Sequence, residues 1–197
     1  MKGKTKEELL RVTIAEIEKV GEGNVRLEDV LREAEASVSS LYHHFGNMRG
    51  LLDEAQLARF NASMGDNTKR FRDAANRVKN RKELRELIKV TIENTFSSKR
   101  AHSRFSAMNA FGSIFETAGF HDRVAEIERE NMAVLVDALD SLRARELISE
   151  SLDLHAFAAW IMGLTFSRVV PDLLNDPATE EAWVQLTTQA VIHLMEV

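Results

Sequence analysis

Only two prolines occur in the 197 residues, Pro171 and Pro177, so the chain can run as helix for most of its length. An interior proline costs a helix about 3 kcal/mol. A chain that avoids it while using Leu, Ala, Glu and Arg freely is written for helices. No segment alternates apolar and polar residues with period two between turn signals, so no strand is expected. The expected fold class is all-α.

Composition narrows the function by exclusion. Cysteine is absent, which removes disulfides, thiolate metal sites and cysteine nucleophiles. There is no unbroken run of 18 apolar residues, so no membrane span is expected. The opening "MKGKTKEELL" lacks the apolar stretch of a signal peptide, and a cytoplasmic location is the simplest expectation. The net charge of -5 is unevenly spread: residues 1–60 carry 9 Lys/Arg against 11 Asp/Glu, residues 61–100 carry 11 against 5, and residues 101–197 carry 6 against 15. The basic stretch "KRFRDAANRVKNRKELRELIK" reads either as a surface for an anionic partner or as a solvated helix face with i,i+4 pairs, the commoner use.

Helix signals recur along the chain. Thr5 and Glu8 form a capping box ahead of Leu9, Leu10, Ile14 and Ile17. Gly21 and Gly23 close this helix. Leu27, Val30, Leu31 and Ala34 mark one face of a second, short helix, and Ser37 is a good N-cap for a third. A fourth is expected over 48–63, with a break at Gly65-Asp66. Further helices are expected over about 67–79, 82–98, 104–118, 122–146, 153–170 and 179–195.

Residues 27–45 have the layout of a helix-turn-helix. At about 100° per residue, Val38, Leu41, Tyr42 and Phe45 share one sector of the third helix, with Ser39, Ser40, His43 and His44 opposite. The opposite set offers hydroxyls and imidazoles without a long acidic chain, a surface suited to a major groove. The free N–H groups at the helix start suit a phosphate. His43 and His44, being adjacent, diverge by about 100° and do not converge on one metal. The His-Glu-x-x-His, nucleophile-elbow, P-loop and dinucleotide motifs are all missing. No metal, no cofactor and no enzymatic activity is therefore expected.

"RLEDVLREAEASVSSLYHHFGNMRGLL" resembles the N-terminal signature of the TetR family of bacterial transcriptional regulators. The likeness lies in "SLYHHF", in the spacing back to Gly21 and in the Leu51-Leu52 pair, and covers about the first 55 residues. It implies a helix-turn-helix DNA-binding domain over 1–48 and a helical ligand-binding and dimerisation domain over 49–197. It further implies that Ser37, Val38, Ser39 and Ser40 lie nearest bases and phosphates. Tyr42 would meet a phosphate and His43 the backbone. Arg26 and Leu27 would flank them, and Asn47 and Arg49 would complete the DNA-facing set. Two residues depart from the family pattern. Glu35 stands where glycine is usual, and a non-glycine residue in left-handed geometry costs roughly 1–2 kcal/mol. Met48 stands where a basic residue usually holds a phosphate, with Arg49 as its substitute.

Phe96, Phe105, Met108, Phe111, Phe115 and Met132 enrich the middle of the chain. Core packing is the commoner use of any one of them. The resemblance implies an apolar cavity for a small-molecule effector, with Arg104, Asn109, Thr117 and Asn131 as its candidate polar members. "HAFAAWIMGLTFSRVV" is apolar nearly all round and needs burial on every side. Phe157, Trp160, Ile161 and Leu164 on this helix, with Trp183, Leu186, Ala190 and Leu194 on the next, point to a subunit contact. The resemblance implies a homodimer joined by a four-helix bundle and reading a near-palindromic site in double-stranded DNA. The expected function is a repressor released by a small apolar or amphipathic ligand. The alternative, motivated by Glu35 and Met48, is a helical ligand-binding protein with weakened or lost DNA binding.

Overall fold

Three short-range packing units and one long helix organise the molecule. The computed structural model describes residues 2–112 and 119–197, without the side chains of residues 2–4, 63, 64, 66, 106, 107, 109 and 110. Among the described residues every regular element is helical, the expected all-α class. Helix α1 (Lys2–Val20) begins three residues before Thr5, so Thr5 lies inside the helix and does not cap it. Helices α2 (Leu27–Glu33) and α3 (Val38–Phe45) follow as the two arms of the helix-turn-helix. Leu9, Val12, Val30, Ala34, Leu41 and Leu51 form their shared core.

Helix α4 (Met48–Ala75) runs unbroken for 28 residues. The expected break at Gly65-Asp66 is absent. An interior glycine costs a helix about 1 kcal/mol against alanine, and here it serves close packing. A Cβ on Gly65 would sit 3.1 Å from Asn61 Oδ1 and 3.2 Å from Asn131 Oδ1, so glycine lets α7 approach α4. Gly50 acts similarly at the other end, where a Cβ would overlap the Phe45 carbonyl oxygen and push α3 away.

The larger body contains α5 (Arg81–Thr95), α6 (Ala101–Gly112), α7 (Phe120–Ala144), α8 (Leu154–Ser167), α9 (Val169–Leu174) and α10 (Pro177–Met195). The single helix expected over 153–170 is divided at Arg168. Pro171 has no N–H to bond the Ser167 carbonyl, which favours a break there. The main core joins Leu84, Ile88 and Ile92 of α5 to Leu135, Leu139 and Leu142 of α7 and to Phe157, Val191 and Met195. A smaller cluster of Leu57, Phe60, Phe120 and Val124 lies beside it, with Phe111 packed against it.

Charged groups tie the body together. Arg104 grips Asp172 with both arms, at 2.6 and 2.8 Å, and reaches the Thr95 and Ser97 carbonyls. Arg168 donates to the Phe96 carbonyl and to Glu180, each at 2.9 Å. The segment Leu154–Leu174 has the length and hydropathy of a membrane span. Its two charges, Arg168 and Asp172, have fully buried side chains inside this ion network. The basic stretch is partly used within the fold: Arg81 donates to the Glu146 and Glu196 carbonyls and Arg85 to Val197.

Candidate DNA interface and effector cavity

The recognition surface begins at Ser37. Its Oγ accepts from the Ser40 N–H at 3.1 Å and so caps α3. Leu41 is fully buried and Phe45 half-buried, and these anchor the helix. Val38 and Tyr42 are 49% and 55% exposed, so the edge of the apolar sector faces outward instead of docking. A helix of eight residues held mainly through Leu41 and Phe45 leaves that edge uncovered. Ser39 and His43 are exposed beside it, and Ser40 is half-buried. The His43 and His44 rings meet edge-on with centroids 5.0 Å apart. The result is one continuous outward face of hydroxyl, imidazole, methyl and phenol groups.

The flanking residues divide by role. Arg26 is exposed, whereas Leu27 packs into the module's core. Asn47 caps α4, its Oδ1 accepting from the Gly50 N–H at 2.9 Å. Arg49 donates to Asp53 at 2.9 Å, which offsets part of the charge that would replace a basic residue at Met48. Glu35 takes the left-handed conformation at φ 48°. The turn therefore keeps its glycine-type geometry with a glutamate in it, and stores the corresponding strain.

A cavity of about 110 Å³ lies in the larger body. Asn67, Thr68 and Phe71 of α4 form one wall, Ile88, Thr91, Ile92 and Thr95 of α5 another, and Leu135, Leu139, Ile161 and Thr165 close it. Its lining is apolar apart from one amide and four threonine hydroxyls. Such a space takes a small, largely apolar molecule; an engineered cavity of about 150 Å³ takes benzene.

Comparison with known proteins identifies the kind of molecule. Residues 6–55 match the family model described as bacterial regulatory proteins, tetR family. A curated relative, the HTH-type transcriptional regulator BetI of Cronobacter sakazakii (strain ATCC BAA-894), is 26% identical over 194 residues, spanning 93% of this chain and 87% of that protein. The helix-turn-helix segment of the chain is of the TetR-family type. The fold extends the likeness beyond the matched segment. A putative TetR-family regulator from Mesorhizobium loti MAFF303099 superposes with a TM-score of 0.75 at 16% identity, covering 98% of each chain. Salmonella enterica GusR does so with 0.66 at 15% identity, covering 98% of this chain and 96% of that one. The chain is thus a TetR-type transcriptional regulator, and its helix-turn-helix is a DNA-binding element.

Of the residues expected to meet an effector, Phe96 alone among the described ones lines the cavity. Arg104 is buried against Asp172. Phe111 stacks between Phe60 and Phe166, at 5.4 and 4.6 Å. Met132 packs against the main core, Phe105 is half-buried, and Met108 is 41% exposed. Phe115, Thr117 and the side chain of Asn109 lie outside the described residues. The cavity residues missed from sequence are chiefly Thr68, Thr91, Thr95 and Thr165, hydroxyls set among apolar neighbours at helical spacing.

The residues expected at a subunit contact separate into two groups. Phe157, Ile161 and Leu164 pack in or against the subunit's own core, and Trp183 lies edge-on to Phe96 at 5.0 Å and beneath Arg168. Trp160, Leu186 and Leu194 face outward, with Ala190 half-buried beside them. Val170, Leu173 and Leu174 are exposed as well, Leu173 by 69%.

Proposed function

We propose that the protein is a homodimeric cytoplasmic repressor that leaves a near-palindromic operator when a small apolar or amphipathic effector fills the cavity. The observation that carries this reading is the continuity of α4. Its first turns belong to the DNA-binding module through Leu51, and its later turns wall the cavity through Asn67, Thr68 and Phe71. At 1.5 Å per residue this lever is about 42 Å long. An effector that fits only after α4 shifts would move the module with it. It weakens DNA binding only by its preference for the shifted arrangement.

The exposed apolar side chains Trp160, Val170, Leu173, Leu174, Leu186 and Leu194, all on α8, α9 and α10, support two-fold pairing through these helices. Exposed apolar surface of this extent marks an interaction site. A dimer would set two α3 helices into successive major grooves about 34 Å apart. The DNA face would consist of Ser37, Val38, Ser39, Ser40, Tyr42 and His43, with Arg26, Asn47 and Arg49 at its margin.

The test is binding of the purified chain to the DNA upstream of its own gene across a salt series. The expected result is a complex of two chains per site whose affinity falls steeply with salt. A second reading, an effector-binding protein without DNA binding, draws on Met48 and on the Arg49–Asp53 pair. Absence of any specific complex at about 50 mM salt would favour it and refute the repressor.

A further inference from the structure

One face of α7 carries two buried polar atoms that the fold leaves unused. Oε1 of Glu128 and Nδ2 of Asn131 have no hydrogen-bond partner. Asn131 is only 6% exposed. The two residues are three apart, so they lie on one side of the helix, one above the other. Asn131 faces α4 at Gly65, whose lack of a side chain admits it. Orphaned groups of this kind are costly, and few survive in folded proteins without a use.

The location relates the pair to the cavity. Asn131 is one turn, about 6 Å along the axis, ahead of Leu135, a cavity wall. Gly65 is two residues ahead of Asn67, on the opposite wall. Neither Glu128 nor Asn131 lines the cavity itself; the pair lies one turn beyond its α7 wall, on the side of the DNA-binding module, where a ligand reaching it would have to part α4 from α7. Charged groups on the packed elements are already engaged: Glu54 with Arg123, Arg59 with Glu18, and Arg104 with Asp172. Burial alone raises the Glu128 carboxyl, to about 7.

We infer that Glu128 and Asn131 form the polar end of the effector site and that the effector is an apolar molecule bearing a hydroxyl group. The unused atoms are one acceptor and one donor. A single hydroxyl matches both, donating to Glu128 Oε1 and accepting from Asn131 Nδ2. An ammonium would satisfy Glu128 and leave Asn131 without an acceptor. A carboxylate would satisfy Asn131 and crowd a second acid against Glu128. This inference rests on the cavity being the effector site, and adds the chemistry of the head group.

The test compares three probes of equal heavy-atom count by calorimetric titration of the full chain at pH 8, where the Glu128 carboxyl is mostly ionised: 1-hexanol, its isomer 1-methoxypentane, and hexylamine. The ether keeps the acceptor and loses the donor. The expected result is that 1-hexanol binds at least about tenfold more tightly than the other two, the range of one hydrogen bond to a charged group. In Glu128→Met, which removes an unpaired buried carboxyl and so does not endanger folding, hexanol and the ether should bind alike. Equal binding of hexanol and ether to the wild-type protein overturns the head-group assignment and leaves the cavity reading standing. So does tighter binding of hexylamine, or a hexanol preference that survives in Glu128→Met. Binding by none of the three overturns both together.

Discussion

Asp172→Asn should be among the most damaging single-atom changes available in the chain. The Asp172 carboxylate is fully buried and faces two guanidinium groups, bonded to Arg104 at 2.6 and 2.8 Å and lying 3.5 Å from Arg168. Replacing it by an amide keeps the volume but leaves Arg104 with no anion and Arg168 with Glu180 alone. Breaking a buried pair in this way costs about 3–5 kcal/mol, because an uncompensated charge remains out of water. For a chain of this size each kcal/mol shifts the midpoint of thermal unfolding by roughly 2–4 °C, so a fall of about 6–20 °C is expected. The assay is unfolding followed by circular dichroism at fixed protein concentration, since association would itself raise the midpoint. Asp140→Asn is the control. Its pair with Arg143 is short but exposed, and exposed pairs contribute under about 1 kcal/mol. The double variant Arg104→Met with Asp172→Leu should lose less than the sum of the two single changes, because the unpaired cation goes with its partner. A coupling below about 1 kcal/mol, or Asp172→Asn matching Asp140→Asn, would refute the account of these charges as a mutually dependent network.

Glu35→Gly should stabilise the helix-turn-helix by about 0.5–1 kcal/mol, the relief of left-handed strain less the added chain entropy of glycine; destabilisation in urea would contradict the strain at φ 48°. Tyr42→Phe should weaken operator binding by about 1.5–3 kcal/mol with unfolding unchanged, since its phenol is exposed and the hydroxyl would meet a charged phosphate. Unaltered affinity would remove Tyr42 from the contact set. Leu186→Lys, at a side chain 66% exposed, should leave the fold intact and yield monomers in sedimentation; Trp183→Ala should instead lower stability by about 3–5 kcal/mol through lost core packing. Glu128→Gln carries a pH signature. The folded protein holds the Glu128 proton more tightly than the unfolded chain, so wild-type stability falls as pH rises from about 4.5 through about 7. The variant should match the wild type at pH 5 and exceed it by about 1–2 kcal/mol at pH 8, after discounting for partial exposure; equal stability at both would show the carboxyl to be solvated.

The DNA-binding module was legible because its signals are local. Apolar spacing and the Ser37 cap each act within one or two turns, and α2 and α3 formed where those signals stand. Glu35 was legible as a departure, while its actual φ was not. Gly65 illustrates what local reading misses. An interior glycine with aspartate after it looks like a break, and only Asn131, 66 positions later in sequence, gives it a packing reason. The cavity was illegible for a related reason. The aromatic residues that attract attention, Phe111 and Trp183, are used to fill space against Phe60, Phe166 and Phe96. The space itself is bounded by threonines among Phe, Leu, Ile and Met side chains whose pattern equals that of a filled core. The pairing of Arg104 with Asp172, likewise, joins residues 68 positions apart and leaves no mark on either neighbourhood.

The energetics of the proposed switch explain why pairing and the polar end of the cavity would both matter. Moving a population from 99:1 to 1:99 takes about 5.5 kcal/mol of differential binding. A six-carbon body moved from water into the cavity gains at most about 5 kcal/mol, at about 0.8 per methylene, and only the part that differs between the two arrangements counts. One apolar ligand in one subunit therefore falls short. Two subunits that shift together divide the requirement, so each site needs about 2.8 kcal/mol of preference, half of the available transfer energy. A hydroxyl held by Glu128 and Asn131 only when α4 and α7 part adds about 1.5–3 kcal/mol to that difference. A Leu186→Lys monomer should then bind effector with nearly wild-type affinity yet retain most of its weak half-site DNA binding when the effector is present. Complete release of DNA from the monomer at the same effector concentration would mean that each α4 acts alone, and that the dimer contributes spacing but no shared energy.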